Sequence, residues 1–384
     1  MQTPQPPPRF DHIDMLRGLA ALLVCVGHIR GMLWVDYGAL ASPDVVTKGL
    51  YFLTGLGHQA VVLFFALSGF LVGGSAFQRI RSGQFRAGDY LLRRLTRLWT
   101  VLLPALVLGA LWDWLGRDIL HGPGYDGSLW AILSSGPDAA HGIDLSFVTL
   151  AGNILFLQTI FIPTFGSNRP LWSLANEFFY YLLFPAMAIA AFGRTGWHAP
   201  FGQLGGRLAA GLAAILLSLL MPRDMLLLGL IWLAGALVWP LRDFAGASQR
   251  RAAIWSAAGL AAMLAGMAWA RSHPGLMGDM LLGIITALWL PGLARLGGFG
   301  GLYGKLAKAL SEISYTLYVV HFPLLFLMAS LLFLPRQFVP DATGLGWLVG
   351  ATIFALFYAA CIWRLFERNT DAIRRWLQGR IFAN

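Results

Sequence analysis

The sequence contains little charge and almost no cysteine. Only 12% of its 384 residues are charged and 57% are hydrophobic, whereas soluble domains carry about 25% charged residues. The two cysteines, Cys25 and Cys361, lie inside apolar runs and form no disulfide or metal-binding pattern. These shortages exclude a cytosolic enzyme, a disulfide-stapled secreted domain and a disordered chain, and they indicate a protein that crosses a membrane several times.

Motifs of many soluble enzymes are missing as well. The sequence has no HxxxD or HExxH stretch, no Walker loop, no GxSxG elbow and no Cys/His cluster with metal-ligand spacing, so we expect no metal site. Its net charge of +10 comes from arginines beside apolar runs, which indicates membrane topology or an anionic ligand and not nucleic acid. The proline-rich start predicts a retained first helix and no cleavable signal peptide.

Eleven apolar runs are candidates for membrane spans of roughly 20 residues. They cover residues 13–35, 60–77, 98–115, 146–162, 171–192, 204–221, 225–240, 252–270, 276–293, 310–334 and 345–366. If all eleven cross, 12 Lys and Arg residues lie inside and 16 outside, which contradicts the positive-inside rule. If the short, polar run at residues 146–162 does not cross, 21 lie inside and 7 outside.

The charge distribution therefore predicts an all-α integral membrane protein with about ten transmembrane helices in one bundle and a re-entrant segment near residues 146–162. Both termini are predicted to be cytoplasmic. We expect an N-terminal tail at residues 1–12, a transmembrane domain at 13–366 and a basic tail at 367–384. The outer side carries one long loop, Gly116 to Leu145, which contains His121, Asp126, Asp138, His141 and Asp144.

The first span contains three ionisable side chains on one face. Such groups cost about 2.5 to 3.5 kcal/mol at mid-membrane on insertion scales, so each normally has a partner or a function. Asp14 and Arg17 share the face of His28, which lies about 16 Å further along the axis than Arg17. His28 is a candidate general base. The alternative is structural, with His28 bonded to a neighbouring helix and Arg17 anchored at the headgroups.

Glu177 is the candidate carboxylate partner of His28. In the ten-span arrangement it lies about 9 Å below the outer surface, at a depth similar to that of His28. The hypothesis is that the two side chains meet there and that the carboxylate orients the imidazole. The alternative is a structural hydrogen bond from Glu177 to a helix neighbour, because depth alone does not identify which helices touch.

Two more polar residues lie inside spans. His321 lies near the middle of the ninth span and precedes Pro323, which frees a backbone carbonyl, so a packing or kink role competes evenly with a substrate role. Ser68 is expected to hydrogen-bond within its own helix.

Three arginines mark the start of the third span. Arg93, Arg94 and Arg97 stand at helical spacing and predict one basic face on the cytoplasmic side. Such a face binds a phosphate-bearing ligand. Membrane topology alone is an equally good explanation, because the positive-inside rule itself requires basic loops there.

Five sequence stretches follow one another in an order that is typical of one known family. They are IDMLRGLAALLVCVGH, which places ten residues between Arg17 and His28, LFFALSGFLVGGSAF, the basic YLLRRLTRLW, LWSLANEFFYYLLFP and SEISYTLYVVHFPLL. From about Phe10 to Phe366 the chain resembles acyltransferase family 3, the membrane-bound bacterial O-acyltransferases.

The resemblance implies an enzyme of the bacterial cytoplasmic (inner) membrane. It implies transfer of an acyl group, usually acetyl, from cytoplasmic acyl-CoA to a hydroxyl of a cell-surface or exported glycan, glycolipid or similar acceptor across the bilayer. Acyl-CoA would be a donor substrate, with no permanently bound cofactor. Family members with a fused esterase-like domain pass the acyl group to it. This sequence shows none, so the resemblance implies that the protein either completes the transfer itself or hands the acyl group to a separate periplasmic acyl-accepting protein.

The resemblance also implies roles for particular residues. The catalytic residues would be His28 and Glu177, and Arg17, Arg93, Arg94 and Arg97 would bind acyl-CoA. Candidates for the acceptor site or the acyl path are Asp14, Ser68, Trp172, Ser173, Tyr315 and His321.

A proton-coupled secondary transporter is the alternative function. It also needs ionisable groups at mid-membrane. The sequence shows no inverted repeat, and its Gly- or Pro-broken spans do not occur in matched halves, which counts against a transporter.

Overall fold

The computed structural model describes residues 10–133, 135–137, 139–140, 142–193 and 202–381. This part of the chain is built from helices and contains no β-strand. The helices are α1 (Asp11–Leu33), α2 (Val45–Thr54), α3 (Gly57–Ser68), α4 (Gly74–Arg81), α5 (Ala87–Trp114), α6 (Phe147–Ile154), α7 (Trp172–Phe192), α8 (Gly202–Leu220), α9 (Arg223–Leu237), α10 (Leu241–Ala245), α11 (Gln249–Ser272), α12 (Leu276–Leu293), α13 (Gly301–Leu332), α14 (Ala342–Leu365) and α15 (Thr370–Ile381). Residues 1–9 and 382–384 of the two predicted tails, and Asp138 and His141 of the predicted outer loop, lie outside the described residues.

Nine helical stretches of the described chain are long and apolar enough to cross a membrane. They overlap nine of the ten predicted spans, and the tenth corresponds to α9, which has only 15 residues. The all-α membrane architecture is thus confirmed, while the cytoplasmic location of the termini stays a prediction.

The segment near residues 146–162 does not form a span. Its only helix, α6, has 8 residues and is therefore about 12 Å long. The buried Asn153 side chain then turns the chain back, because its Nδ2 donates to the carbonyls of Thr149 and Pro163 and its Oδ1 accepts from the backbone N–H of Phe165. The structure therefore agrees with the exclusion of this segment from the count of spans.

Helices α1 and α13 run parallel and pack along their lengths. At one end, Ser311 Oγ donates to Asp14 Oδ1 over 2.7 Å, and further along, His28 and His321 are hydrogen-bonded. Gly18 permits the close approach, because a Cβ there would lie 2.4 Å from Leu310 Cβ. This pair of helices supplies polar side chains at two depths of the bundle.

Helices α3 and α4 are joined by one turn of π-helix, Gly69–Gly73. The turn packs directly on the backbone of α9, because a Cβ on Gly69 would lie 1.8 Å from the Trp232 carbonyl oxygen and one on Gly235 would lie 2.2 Å from that of Ala66. Single π-turns within helices are rare and occur often at functional sites. This one directly follows Ser68.

Pro323 connects the middle of α13 to the loop before α7. Proline has no N–H, so the Val319 carbonyl one turn earlier lacks its helical partner. Asn168 Nδ2 donates to that carbonyl over 2.8 Å. The freed carbonyl that the sequence predicts therefore exists, and it fixes the start of α7 beside His321.

Candidate active site

The first candidate cavity, called the arginine cavity here, lies between α1, α3, α5, α7 and α13 and has a volume of about 190 Å³. Its polar lining consists of Arg17, Ser68, Arg94, Arg97, Ser173, Glu177, Tyr181, Ser314, Tyr315 and Tyr318. Seven of these ten are residues that the sequence predicts for the site, and among the described residues Glu177 is the only carboxylate that lines the cavity. The cavity therefore combines three arginines with one acidic residue.

The three arginines of the cavity, one on α1 and two on α5, make different contacts. The Arg17 guanidinium donates to Ser311 and forms an ion pair with Asp14 over 3.3 Å. Arg94 lies against the ring of Tyr181, with 5.9 Å from its Cζ to the ring centroid. The Nε atoms of Arg17 and Arg94 are buried without a hydrogen-bond partner in the described chain. Arg97 forms no ion pair within the described residues, although Glu367 and Glu177 attract it electrostatically.

Glu177 is bonded inside the arginine cavity. Its Oε1 accepts hydrogen bonds from Ser68 Oγ, over 2.7 Å, and from the Tyr181 hydroxyl. Trp232 Nε1 in turn donates to Ser68 Oγ over 3.1 Å. The prediction that Ser68 bonds within its own helix is therefore wrong, because the π-helical turn and α9 place its hydroxyl opposite α7.

Arg93 does not line the arginine cavity. Its Nε forms an ion pair with Asp89 over 2.9 Å, and Asp89 also accepts from Gln378 of α15. Adjacent helical residues point about 100° apart. The prediction of one basic face is therefore wrong for Arg93, which connects α5 to the C-terminal helix, while Arg94 and Arg97 face the cavity.

The second candidate cavity, called the histidine cavity here, has a volume of about 320 Å³. It lies beside the second halves of α1 and α13, at the start of α3 and under the loops that precede α7. Its polar lining consists of His28, Arg30, Thr54, His58, Ser135, Arg169, Trp172 and Tyr318. No carboxylate lines this cavity in the described chain.

His28 is hydrogen-bonded to His321 and not to Glu177. Its Nδ1 lies 2.8 Å from His321 Nε2, and the rings stack with centroids 5.1 Å apart. Glu177 lines the other cavity. The predicted pairing of His28 with Glu177 is therefore wrong, because α1 packs along α13 and residues at equal depth need not be neighbours.

The hydrogen bonds of His321 fix the protonation of both rings. Its Nδ1 lies 2.8 Å from the Leu317 carbonyl, which only accepts, so that nitrogen carries the proton when the ring is neutral. His321 Nε2 is then an acceptor, and His28 Nδ1 donates to it. A neutral His28 consequently has an unprotonated Nε2, the arrangement that a general base requires.

Val61 and Tyr318 line both cavities and form the wall between them. The Tyr318 hydroxyl is hydrogen-bonded to Ser173 Oγ over 2.6 Å, and it also donates to the Pro170 carbonyl. Phe64 packs edge-on against the Tyr318 ring from the arginine side. The two cavities are therefore separated by one layer of side chains.

The long loop from Gly116 to Leu145, which the sequence predicts to lie outside, contributes to the histidine cavity. Ser135 lines it, and Arg169 lies over the Trp130 ring, with 4.6 Å from its Cζ to the ring centroid. In the same loop, hydrogen bonds from Ser128 hold the pKa of Asp126 below its ordinary value, so this carboxylate is ionised near neutral pH. The predicted contact of this loop with the acceptor stays a prediction.

The remaining predicted residues are distributed as follows. Trp172 lines the histidine cavity, whereas Ser173 and Tyr315 line the arginine cavity. Asp14 lines neither cavity and holds Arg17 and Ser311 in place. The Tyr315 hydroxyl donates to the Leu98 carbonyl over 3.1 Å, which joins α13 to α5.

Sequence reasoning missed several residues of the histidine cavity. Arg30 is two residues beyond His28, and His58 is hydrogen-bonded to Asp279 over 2.9 Å. Each is an ionisable group near a helix end, which is also the ordinary place for a headgroup anchor. The only available signal was their position near the predicted depth of His28.

The described chain is thus a helical membrane bundle with half-buried arginines on one side of a thin wall and paired histidines on the other. A family profile described as an acyltransferase domain matches residues 10–364. The chain belongs to this family, acyltransferase family 3.

Two curated proteins illustrate the similarity. Over 176 residues the chain is 28% identical to "Protein 2 in picA locus" of Rhizobium radiobacter, a match that covers 45% of this chain and 78% of that protein. Over 183 residues it is 33% identical to "Acyltransferase MdmB" of Streptomyces mycarofaciens, which covers 47% of this chain and 40% of that protein. The chain thus spans less than half the length of the second relative. No solved structure shows significant similarity to the chain.

Proposed function

We propose that the protein transfers an acyl group, usually acetyl, from acyl-CoA at the cytoplasmic face to a hydroxyl of a glycan, glycolipid or similar acceptor on the outer side of a bacterial cytoplasmic membrane. The observation that carries this proposal is the contact of two unlike cavities at Val61 and Tyr318. One cavity presents guanidinium groups and the other a histidine with a free ring nitrogen. Family membership favours acyl transfer over the alternative of a proton-coupled transporter.

The arginine cavity is the proposed donor site. Arg17, Arg94 and Arg97 offer N–H groups suited to phosphate, and guanidinium binds phosphate through paired hydrogen bonds. The volume of about 190 Å³ is below the roughly 300 to 1,000 Å³ of typical ligand pockets. We therefore infer that the phosphates of CoA bind at the mouth and that only the acyl end of the molecule reaches the wall.

The histidine cavity is the proposed site of reaction, and the thioester reaches it from the donor cavity when the wall side chains Val61 and Tyr318 move aside. The acceptor hydroxyl gives its proton to His28 Nε2, and its oxygen attacks the thioester carbonyl carbon. The carbon–sulfur bond breaks, and the CoA thiolate takes the proton from His28, so that an ester and CoA are formed. His321 accepts the bond from His28 Nδ1 throughout and keeps the ring oriented.

Glu177 receives a different role from the one that the family resemblance implies. Within the donor cavity its carboxylate holds Ser68 and Tyr181 and attracts Arg97. We therefore propose that it positions the cationic donor site and takes no proton from the acceptor.

The test uses inside-out membrane vesicles supplied with radiolabelled acetyl-CoA. Wild type, His28→Ala and His273→Ala are compared at matched expression, because His273 is an exposed histidine that lines neither cavity. We expect label in lipid or glycan with wild type and His273→Ala. With His28→Ala the rate falls about 10² to 10⁴-fold, the contribution typical of a general base.

Two outcomes contradict the proposal. Undiminished transfer by His28→Ala removes this histidine from the chemistry. If no variant consumes acetyl-CoA or longer acyl-CoA, even with added glycan acceptors, the transporter becomes the better explanation. Right-side-out vesicles test the orientation, because the donor must then be inert unless it is loaded inside.

A further inference from the structure

Arg30 is a cation of the histidine cavity with no anionic partner in the described part of the chain. It lies in the last turn of α1, two residues beyond His28. Its guanidinium carbon is 5.6 Å from the centroid of the Tyr51 ring, and its Nε is buried without a hydrogen-bond partner. Within the described chain it forms no ion pair. A half-buried guanidinium beside a reactive histidine thus has unused donors.

A second arginine approaches the same place. Arg271, in the last turn of α11, lies against Gly55, where an added Cβ would be 3.0 Å from its Nε and Nη2 atoms. Gly55 lines the histidine cavity. Arg271 does not line the cavity itself but lies behind its edge at Gly55, and its charge and that of Arg30 repel one another.

The nearby carboxylates do not neutralise this edge. Both oxygens of Asp279 lie within hydrogen-bond distance of His58 Nε2, at 2.9 and 3.0 Å. Asp36 attracts Arg30 electrostatically but forms no ion pair with it in the described part of the chain. Among the described residues, the edge formed by Arg30 and Arg271 therefore carries excess positive charge where an acceptor must enter.

Helix dipoles explain this arrangement only in part. Arginine is favoured in the last turn of a helix, where the dipole is negative, and both arginines occupy such a turn. That preference does not explain why the C-terminal ends of α1 and α11 meet at one cavity. It also does not explain why the Nε of Arg30 is buried without a hydrogen-bond partner in the described chain. Guanidinium groups that face a ligand site commonly bind phosphate or carboxylate.

We propose that Arg30 and Arg271 bind an anionic group of the acyl acceptor, so that the acceptor is a phosphorylated or acidic glycan or glycolipid and not a neutral sugar. The identification of the ligand as the acceptor rests on the proposed function, whereas the anion site itself does not. The hydroxyl to be acylated then lies within reach of His28, two residues from the anchor.

Binding is tested without any acyl donor. The full-length protein in nanodiscs of zwitterionic lipid is heated with glucose 1-phosphate, glucuronate or glucose, and the shift in Tm is measured as a function of concentration. The variants are Arg30→Gln, Arg30→Lys and Arg271→Gln, with Arg336→Gln as the matched control, because Arg336 is exposed at the same end of the bundle and lines neither cavity.

We expect the charged sugars, but not glucose, to stabilise wild type and Arg336→Gln. In Arg30→Gln the apparent Kd for the charged sugars rises about tenfold or more, and Arg30→Lys restores part of the binding. Equal shifts for charged and neutral sugars, or an unchanged Kd in both glutamine variants, overturn the proposal.

A lipid headgroup is the other source of a phosphate. In nanodiscs that contain phosphatidylglycerol and no sugar, stabilisation that depends on Arg30, together with no effect of either charged sugar, identifies a lipid anchor and overturns the acceptor assignment.

A transfer assay separates failure of this inference from failure of the proposed function. With labelled acetyl-CoA, Arg30→Gln should raise the KM for a charged acceptor about tenfold and leave the KM for acetyl-CoA unchanged. If acyl transfer occurs with the same KM for the charged acceptor in wild type and Arg30→Gln, the anion-site inference is contradicted and the proposed function is not. Arg30-dependent binding of charged sugars without transfer from any acyl-CoA contradicts the proposed function and leaves the anion site standing.

Discussion

The two cavities are lined by several of the same helices but differ in their chemistry. Helix α1 supplies Arg17 to one and His28 to the other, and α13 supplies Tyr315 to one and backs the other with His321. The arginine cavity contains permanent charges and one carboxylate, whereas the polar chain behind His28 is neutral and ends at a helix carbonyl. One region is therefore suited to holding charge and the other to moving a proton.

This difference explains why no carboxylate lies beside His28 in the described part of the chain. A carboxylate would stabilise the imidazolium and favour a proton that remains on the ring. A carbonyl dipole orients the ring with less stabilisation of the charge, so the proton passes readily to the departing thiolate. The comparison predicts that substitutions in the arginine cavity act on donor binding and those behind His28 act on the rate of chemistry.

The largest expected effect is on donor binding. The double substitution Arg94→Gln with Arg97→Gln removes two guanidiniums from the arginine cavity. Hydrogen bonds to charged groups contribute about 1.5 to 3 kcal/mol each, so the KM for acyl-CoA should rise about 10²-fold or more, while kcat at saturation changes little. The measurement is initial rate against acyl-CoA concentration.

Arg93→Gln is the control for this double substitution, because Arg93 is adjacent in sequence but paired with Asp89 outside the cavity. Its KM should stay close to that of wild type. If Arg93→Gln impairs donor binding as strongly as the double variant, the basic region acts as a diffuse surface and the cavity is not the donor site.

The next largest effect tests whether His321 orients the ring of His28 through their hydrogen bond. His321→Leu removes the acceptor of the His28 Nδ1 bond, and kcat should fall about 10 to 100-fold, as when a group that orients a functional histidine is removed. His321→Gln offers an amide oxygen to the same N–H and should recover part of the loss. Donor KM is the internal control and should not move.

The pH profile of the two His321 variants gives a readout that a packing defect would not. In His321→Gln the pH dependence of kcat should keep the form of wild type, because the amide reproduces the acceptor. Equal loss in the leucine and glutamine variants would mean that His321 only fills space.

A smaller effect tests the revised role of Glu177. Glu177→Gln keeps an oxygen for Ser68 and Tyr181 but removes the negative charge from the donor cavity. Loss of one like charge near bound phosphates changes binding by about 1 kcal/mol, so the KM for acyl-CoA should fall up to about fivefold. The pH dependence of kcat should not change, whereas a carboxylate acting on His28 would shift its acidic limb.

The sequence predicts how deep a residue lies in the membrane, but it does not predict which helices pack against one another. Hydrophobic runs and the positive-inside rule predicted the membrane class and rejected residues 146–162 as a span, because both depend on composition along one chain. The partner of His28 depends on which helices touch, and His321 is 293 residues away in sequence. Depth alone favoured Glu177, which packs in the neighbouring cavity.

Side-chain direction was the second limit. Arg93 and Arg94 are equally basic and adjacent, yet a rotation of about 100° between them separates an ion pair with Asp89 from the cavity lining. Ser68 bonds to Glu177 only because a π-helical turn and two close-packed glycines bring α3 onto α9. Neither the helix rotation nor the π-turn follows from hydropathy.

The smallest expected effect concerns the wall that both cavities share. Tyr318→Phe removes the hydroxyl bonded to Ser173 but keeps the ring between the cavities. A buried hydrogen bond contributes about 1 kcal/mol, so the free energy of unfolding should fall by about that amount, and kcat/KM should fall about twofold to threefold. In a double-mutant cycle with Ser173→Ala, the double variant should lose less stability than the sum of the two single losses, because both substitutions remove the same hydrogen bond.

The wall borders both cavities, so the loss of activity in Tyr318→Phe should appear in both the donor KM and kcat. Substitutions inside one cavity should instead change mainly one of these two parameters. A change in only the donor KM or only kcat would assign Tyr318 to the function of one cavity and would contradict its role as a wall between the two.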